Sequence, residues 1–340
     1  MTYTNKLMAV LAGAFAFTGL SVQAETLRLG DFQSTSHIVS VEGTTKWMAA
    51  VEEATNGAIT FEHFPSQQAA KSKAQLDAVN NGILDAALLG AGYHADALPL
   101  NSVIGLPGFY GSAEQGTEAL QAMLKEGPLR DEVLAAGVTP IFGFVLPPYQ
   151  ALAKDRLGLP ADWAGLDVRT SGSTQAMTAR ALGGVGISIP GPEVYTAVER
   201  GRLDAVLFPL ASVPGYKLNE VVSHISTNGS FGGYSFIMVL KTDVFEGLSA
   251  EVQTQLVELG AATASHVAQA QDASVAGLIE EWAAAGIDTY QFTEDELATI
   301  SESLVAVSTD WAERLDNDKA TVVLEAYRSL ISDLQIVPKH

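Results

Sequence analysis

Apolar positions along the chain fall into short continuous runs separated by stretches with helical spacing, the pattern of alternating strands and helices. Leu27 to Phe32 is an apolar run of strand length. A helical pattern through Lys46, Trp47, Val51 and Ala54 then stops at Asn56-Gly57, where glycine adopts the left-handed conformation without steric cost. Ile59 to Phe64 reads as a second strand, Pro65 as a break, Ser72 to Asn81 as a helix capped by Gly82, and Ile83 to Leu89 as another apolar strand. Such alternation predicts an α/β fold with a largely parallel sheet and helices on its faces.

The same unit occurs twice. FEHFP leads through a helix into NNGILDAALLG, and GISIP leads through PEVYTAVE into RGRLDAVLFPL, so that G-x-L-D-A-x-L recurs at Gly82 and Gly201. Two similarly built lobes with a cleft between them follow from this repeat. Further on, Ser249 to Ala285 carries a nearly uninterrupted helical pattern, from a good N-cap to Gly286. At 1.5 Å per residue such a helix runs about 50 Å, longer than a small domain is wide, so it must cross both lobes. Ile287 to Phe292 is then a short strand, and Glu294 to Leu330 is mostly helical and acidic on one face.

Composition narrows the function. The 340 residues are 47% hydrophobic and 17% charged, enough for about two cored domains. Asp and Glu outnumber Lys and Arg by 39 to 19, and a net charge of −20 without a basic cluster in the sequence excludes nucleic acid as a partner. The absence of cysteine removes disulfides, thiolate metal sites, Cys nucleophiles and N-terminal lipid attachment. The six histidines, His37, His63, His94, His224, His266 and His340, are too scattered to mark a zinc helix, and no metal or cofactor is expected. Lys6, the apolar run Leu7 to Leu20 and Val22-Gln23-Ala24 read as a signal peptide cleaved after Ala24, which places the mature protein in the periplasm. The apolar run is too short to span a bilayer, so the protein is not expected to be embedded in the membrane.

No nucleophile elbow, P-loop or H-E-x-x-H motif is present. Gly90-Ala91-Gly92-Tyr93-His94-Ala95 is the nearest approach to a dinucleotide fingerprint, but Asp96-Ala97-Leu98-Pro99 argues against the helix it needs, so it reads as a cleft-lining loop. Enzyme function is therefore not expected. A secreted, two-lobed binder that closes on its ligand by hinge motion fits better.

WAGLDVRTSGST, SIPGPEVYTAVERGRLDAVLFPL and GYKLNEVVSHIS together resemble the extracytoplasmic solute receptors of the TRAP (tripartite ATP-independent periplasmic) transporters. LRLGDFQSTSH and FPSQQ extend the similarity over nearly the whole mature chain. The resemblance implies a periplasmic-binding-protein-like α/β fold with a hinge, a central cleft and a long helix spanning both lobes. It also implies a monomer that delivers a small organic acid to membrane subunits. Lobe I is expected at 25–147 plus 235–275, and lobe II at 148–234 plus 276–340.

In that family the arginine of the G-L-x-x-R strand grips the ligand's carboxylate, which here implies Arg169 in GLDVRT. A planar guanidinium matches two carboxylate oxygens with parallel N–H donors and keeps its charge when desolvated. The departures point to the solute. Phe208 stands where the family commonly has asparagine, Gly191-Pro192 where an aromatic residue is usual, and Tyr149-Gln150 near a position that often holds a second arginine. These changes imply a monocarboxylate with an apolar or aromatic body, away from dicarboxylates and sialic acid. The same alignment places Gln33, Gln68, Leu89, Gly90 and Tyr93 around the cleft, with Lys71 nearby. A neutral or cationic solute held in an aromatic cage, a secreted enzyme, and a sensory receptor are the competing readings.

Overall fold

The computed structural model describes residues 24–315 and 318–336. Apart from Ala24, the leader expected over 1–24 lies outside the described residues. Eleven strands are present among them: β1 (Glu25–Gly30), β2 (Ile59–Phe64), β3 (Ala86–Gly90), β4 (Val138–Val145), β5 (Gln150–Ala153), β6 (Asp167–Thr170), β7 (Val185–Ser188), β8 (Ala205–Phe208), β9 (His224–Ser226), β10 (Ser235–Lys241) and β11 (Asp288–Tyr290). They form one sheet of order β2-β1-β3-β10-β4 and another of order β11-β9-β5-β8-β6-β7.

The repeat seen in the sequence is a repeat of topology. β1 lies parallel between β2 and β3, β6 lies parallel between β7 and β8, and in each sheet the next strand, β10 or β5, runs antiparallel. The helices Gln75–Asn80 and Gly191–Glu199 fill corresponding places, and the glycines after them, Gly82 and Gly201, take φ of 71° and 68°. That left-handed turn is why the same residue stands in both copies.

The chain passes between the sheets through two neighbouring segments that bond to each other. Leu146 N–H donates to the Tyr234 carbonyl (3.0 Å), Tyr149 N–H to Gly232 (2.9 Å) and Phe231 N–H to Tyr149 (3.1 Å). A third connection is the 35-residue helix Ala250–Ala284, whose N-cap Ser249 accepts from Val252 N–H, and Gly260 and Gly277 do not break it. Leu256 and Val267 near its start pack in the core under the first sheet, while Trp282 near its end packs with Leu152, Val206 and Ile225 of the second.

One part of the expected division changes. Residues 276–340 were assigned to lobe II, but Val307, Trp311, Val323, Leu324 and Tyr327 are buried against Leu98, Leu100, Tyr110 and Leu120 on the first-sheet side. Trp311 Nε1 donates to Ser102 Oγ (2.8 Å), and the Phe109 and Tyr327 rings stack at 4.9 Å. Helical spacing showed that these helices form but not which sheet their apolar faces cover.

Candidate solute-binding site

β6 brings Arg169 into the seam between the two sheets with 1% of its surface exposed. Its Nε donates to the Ile189 carbonyl (2.9 Å), one terminal nitrogen to the Leu207 carbonyl (3.1 Å) and the other to the Tyr93 hydroxyl (3.4 Å). These bonds use three of the five N–H groups on a guanidinium, and the Tyr149 hydroxyl lies within its reach as well. Among the described residues no carboxylate pairs with Arg169. Asp162 accepts from the backbone of Gly158 and Leu159 instead, and the Asp167 backbone N–H donates to Asp204. A buried charge without a counterion is costly, so this one is held by carbonyl dipoles and by the Phe208 ring, 4.8 Å below the guanidinium carbon.

Four tyrosines surround it. Tyr93 also accepts from Gly191 N–H (2.9 Å), Tyr149 shares a hydrogen bond with Ser171 Oγ (3.0 Å), and Tyr216 donates to Gln33 Oε1 from across the seam. Tyr234 packs on Tyr93 at 5.2 Å between ring centres, and its buried hydroxyl has no partner. Burial pushes the Tyr149 phenol up to about 12 and raises the Tyr216 and Tyr234 phenols well above their ordinary value, with the Arg169 charge opposing in each case. All three therefore remain neutral O–H groups, able to donate. Next to them, His37 lies 5.0 Å from the Tyr216 ring. Burial lowers its pKa to about 3, and Val39 N–H donates to its Nδ1 (3.2 Å), so the ring proton sits on Nε2, buried without an acceptor.

The expected site residues divide. Arg169, Phe208, Tyr149, Tyr93, Gln33 and Gly90 are brought together at the seam, and a Cβ on Gly90 would stand 2.2 Å from the Tyr234 hydroxyl. Gln150 is not available: its amide donates to the Gly229 and Pro148 carbonyls and accepts from Ser226 Oγ and Gly229 N–H, tying the crossing segments together. The Gln68 side chain is exposed, and Leu89 faces the other way along β3, into the core with Leu76 and Leu98. Strand alternation sends Leu89 to that face.

Tyr216, Tyr234 and His37 were not foreseen. Tyr216 left a signal in Gly191: a Cβ there would meet the Tyr216 ring at 2.7 Å, so the missing aromatic residue at that position makes room for one from another loop. Tyr216 and Phe208 meet edge to face at 5.5 Å.

Two like-built α/β lobes joined by crossing segments, with a buried polar cluster at their seam, define a bilobal solute-binding protein. The chain belongs to the DctP family, bacterial extracellular solute-binding protein family 7, which matches residues 30–314. It is 26% identical over 341 residues to the C4-dicarboxylate-binding periplasmic protein DctP of Rhodobacter capsulatus, covering 95% of this chain and 98% of that one. It is also 26% identical over 253 residues to the 2,3-diketo-L-gulonate-binding periplasmic protein YiaO of Escherichia coli, covering 73% and 75%. Its fold is similar to a TRAP solute-binding protein of Rhodoferax ferrireducens in complex with benzoate, with a TM-score of 0.85 at 22% identity over 92% of this chain and 99% of that one. A TRAP protein of Bordetella bronchiseptica with bound mandelate gives 0.82 at 23% identity, over 91% and 99%. The resemblance noted in the sequence is thus borne out, as is the reading of a transport binding protein rather than an enzyme. No helix among the described residues is long and apolar enough to cross a membrane.

Proposed function

We propose that this protein captures a small monocarboxylate with an aromatic or apolar body and clamps the carboxylate on Arg169 as the lobes close. The observation that carries the reading is the Arg169 guanidinium, buried above the Phe208 ring and without an acidic partner. A carboxylate accepts from two parallel N–H groups at once. The neutral Tyr234 hydroxyl is a further donor, where Phe208 offers none. Tyr149, Phe208, Tyr216 and Phe32 supply apolar surface suited to an aromatic body. Among the described residues no second arginine bonds into this cluster, which disfavours a dicarboxylate. Benzoate and mandelate in structures of similar fold support the same class.

Lobe I then comprises 25–147 with 235–275, joined by the C-terminal helices that pack on it, and lobe II comprises 148–234 with the end of the long helix. The protein acts as a monomer in the periplasm, after removal of a leader ending at Ala24, and passes its solute to the membrane subunits of a TRAP transporter.

The test is a thermal-shift panel on protein unfolded and refolded to strip carried-over solute. Benzoate, 3-hydroxybenzoate and mandelate are compared with succinate and choline. Saturation at about 1,000 times the dissociation constant adds ~4 kcal/mol, a rise of several degrees, and the aromatic monoanions should give it. A shift with choline alone would overturn the carboxylate assignment in favour of an aromatic cage. Chemical conversion of a bound acid would overturn the binding-only role.

A further inference from the structure

A groove of about 690 Å³ runs along the seam beside the site. Lys71 and Lys73, which follow β2 in the first lobe, line it together with Arg200 and Arg202, which follow the helix Gly191–Glu199 in the second. Its lining includes Ile189, the residue whose carbonyl holds Arg169 Nε, so groove and site meet at the residue that follows β7. Glu193 is the acid in its lining. All four cations are exposed, and among the described residues none has a carboxylate within ion-pair distance. Elsewhere Arg28 bonds Asp85, Arg156 bonds Glu296, Lys46 bonds Glu42 and Lys241 bonds Asp243, while Lys125, Lys154, Arg180 and Lys217 also lack an ion pair among the described residues, so it is the convergence of four cations on one groove that sets this place apart.

In a chain with 39 acids against 19 Lys and Arg, four unpaired cations gathered on one groove are unexpected, and their position gives them a use. A net charge of −20 repels any anionic solute approaching from bulk. We infer that the Lys71, Lys73, Arg200 and Arg202 groove is the encounter site for the organic anion, a local positive field that draws it to the mouth of the cleft before the lobes close. This rests on the proposed acid-binding function and adds where the solute first meets the protein. Fields of this kind act on the association rate and fade with salt, whereas the buried clamp sets dissociation.

The proposal has a test that does not depend on the identity of the solute. The chain has no cysteine, so Thr196→Cys, in the groove lining, introduces a single thiol. Its rate with anionic 5,5′-dithiobis(2-nitrobenzoate), divided by its rate with neutral 2,2′-dithiodipyridine, reports the local potential. That ratio should exceed the one for Thr299→Cys on the acidic helix Glu294–Leu304 by about tenfold at low salt. Adding K71Q/K73Q/R200Q/R202Q should abolish the excess, and equal ratios at the two thiols would overturn the proposal whatever the solute is. With benzoate as probe, stopped-flow association should slow about tenfold in that quadruple variant. Dissociation should stay within about twofold, and the difference should vanish by ~0.5 M NaCl. K125Q/R130Q/R314Q/K319Q lowers the net charge equally at residues outside the groove lining; equal slowing there would assign the effect to total charge and overturn the groove. If the wild type binds no organic acid in the thermal-shift panel, the acid-binding reading fails, and this use of the groove fails with it.

Discussion

The two lobes share a strand order, and they differ at the position that matters most. In β1 the residue paired with Ala87 of β3 is Gly30, whereas in β6 the residue paired with Val206 of β8 is Arg169. A side chain at Gly30 would strike Leu84 Cδ1 at 2.5 Å, so the first lobe has no group to offer there. The second lobe offers a guanidinium. Duplicated architecture therefore supplies two frames: one lobe carries the guanidinium that the proposed function uses as the anchor, and the other contributes Gln33, His37, Tyr93 and the Gly90 gap in which Tyr234 fits.

The sharpest way to break this asymmetry is Arg169→Ala. Loss of a charge-assisted contact, worth roughly 1.5 to 3 kcal/mol, should raise the dissociation constant for the bound acid at least about tenfold by calorimetry. Arg169→Lys should not restore it, because a point charge lacks the fork. Gly191→Val comes next. Its Cβ meets the Tyr216 ring at 2.7 Å, and overpacking of this kind costs about 1 to 3 kcal/mol, visible as a lower melting temperature and a looser seam.

Tyr234→Phe separates structure from binding. The hydroxyl is buried and unpartnered, so its removal should leave the melting temperature of the empty protein unchanged or higher, while weakening the acid about fivefold, roughly one hydrogen bond. A fall in stability with unchanged affinity would make Tyr234 a scaffold residue only. Acid brings a slower change. His37 and His94 have their pKa lowered by burial to about 3 and about 4, so the stability they hold as neutral rings is full above pH 6.5 and drains away as pH falls toward 4. Asp31, raised to about 6 by burial, works in the opposite sense: its contribution is lost as pH rises through 6. The melting temperature should therefore decline below pH 6, and Asp31→Asn should steepen the decline. Smallest of all, Gln68→Ala should change affinity less than about twofold, since its side chain is exposed.

Legibility in the sequence follows the range of the forces involved. Local signals placed the strands of the two repeated units, the long helix with its Ser249 cap and the paired turns at Gly82 and Gly201, because propensity and backbone conformation act within a few residues. The place of Arg169 at the seam was legible because its motif is compact. Gln150 misled because its neighbour Tyr149 does face the site, and only the Gly229 loop, distant in sequence, shows that its amide is occupied. The C-terminal helices misled for a similar reason, since an apolar face does not say which sheet it will cover. Tyr216 and Tyr234 come from loops whose position depends on Gly191 and Gly90, so the vacancy was written in one segment and its occupant in another.

The unpaired guanidinium at Arg169 also bears on handling at the bench. On the proposed carboxylate clamp, protein drawn from cells will carry whatever acid it last met, and acetate or citrate in a buffer will compete with the solute under study. Apparent affinities will then reflect the preparation's history as much as the protein. Stripping under denaturant and exchange into a carboxylate-free buffer should precede any comparison of ligands.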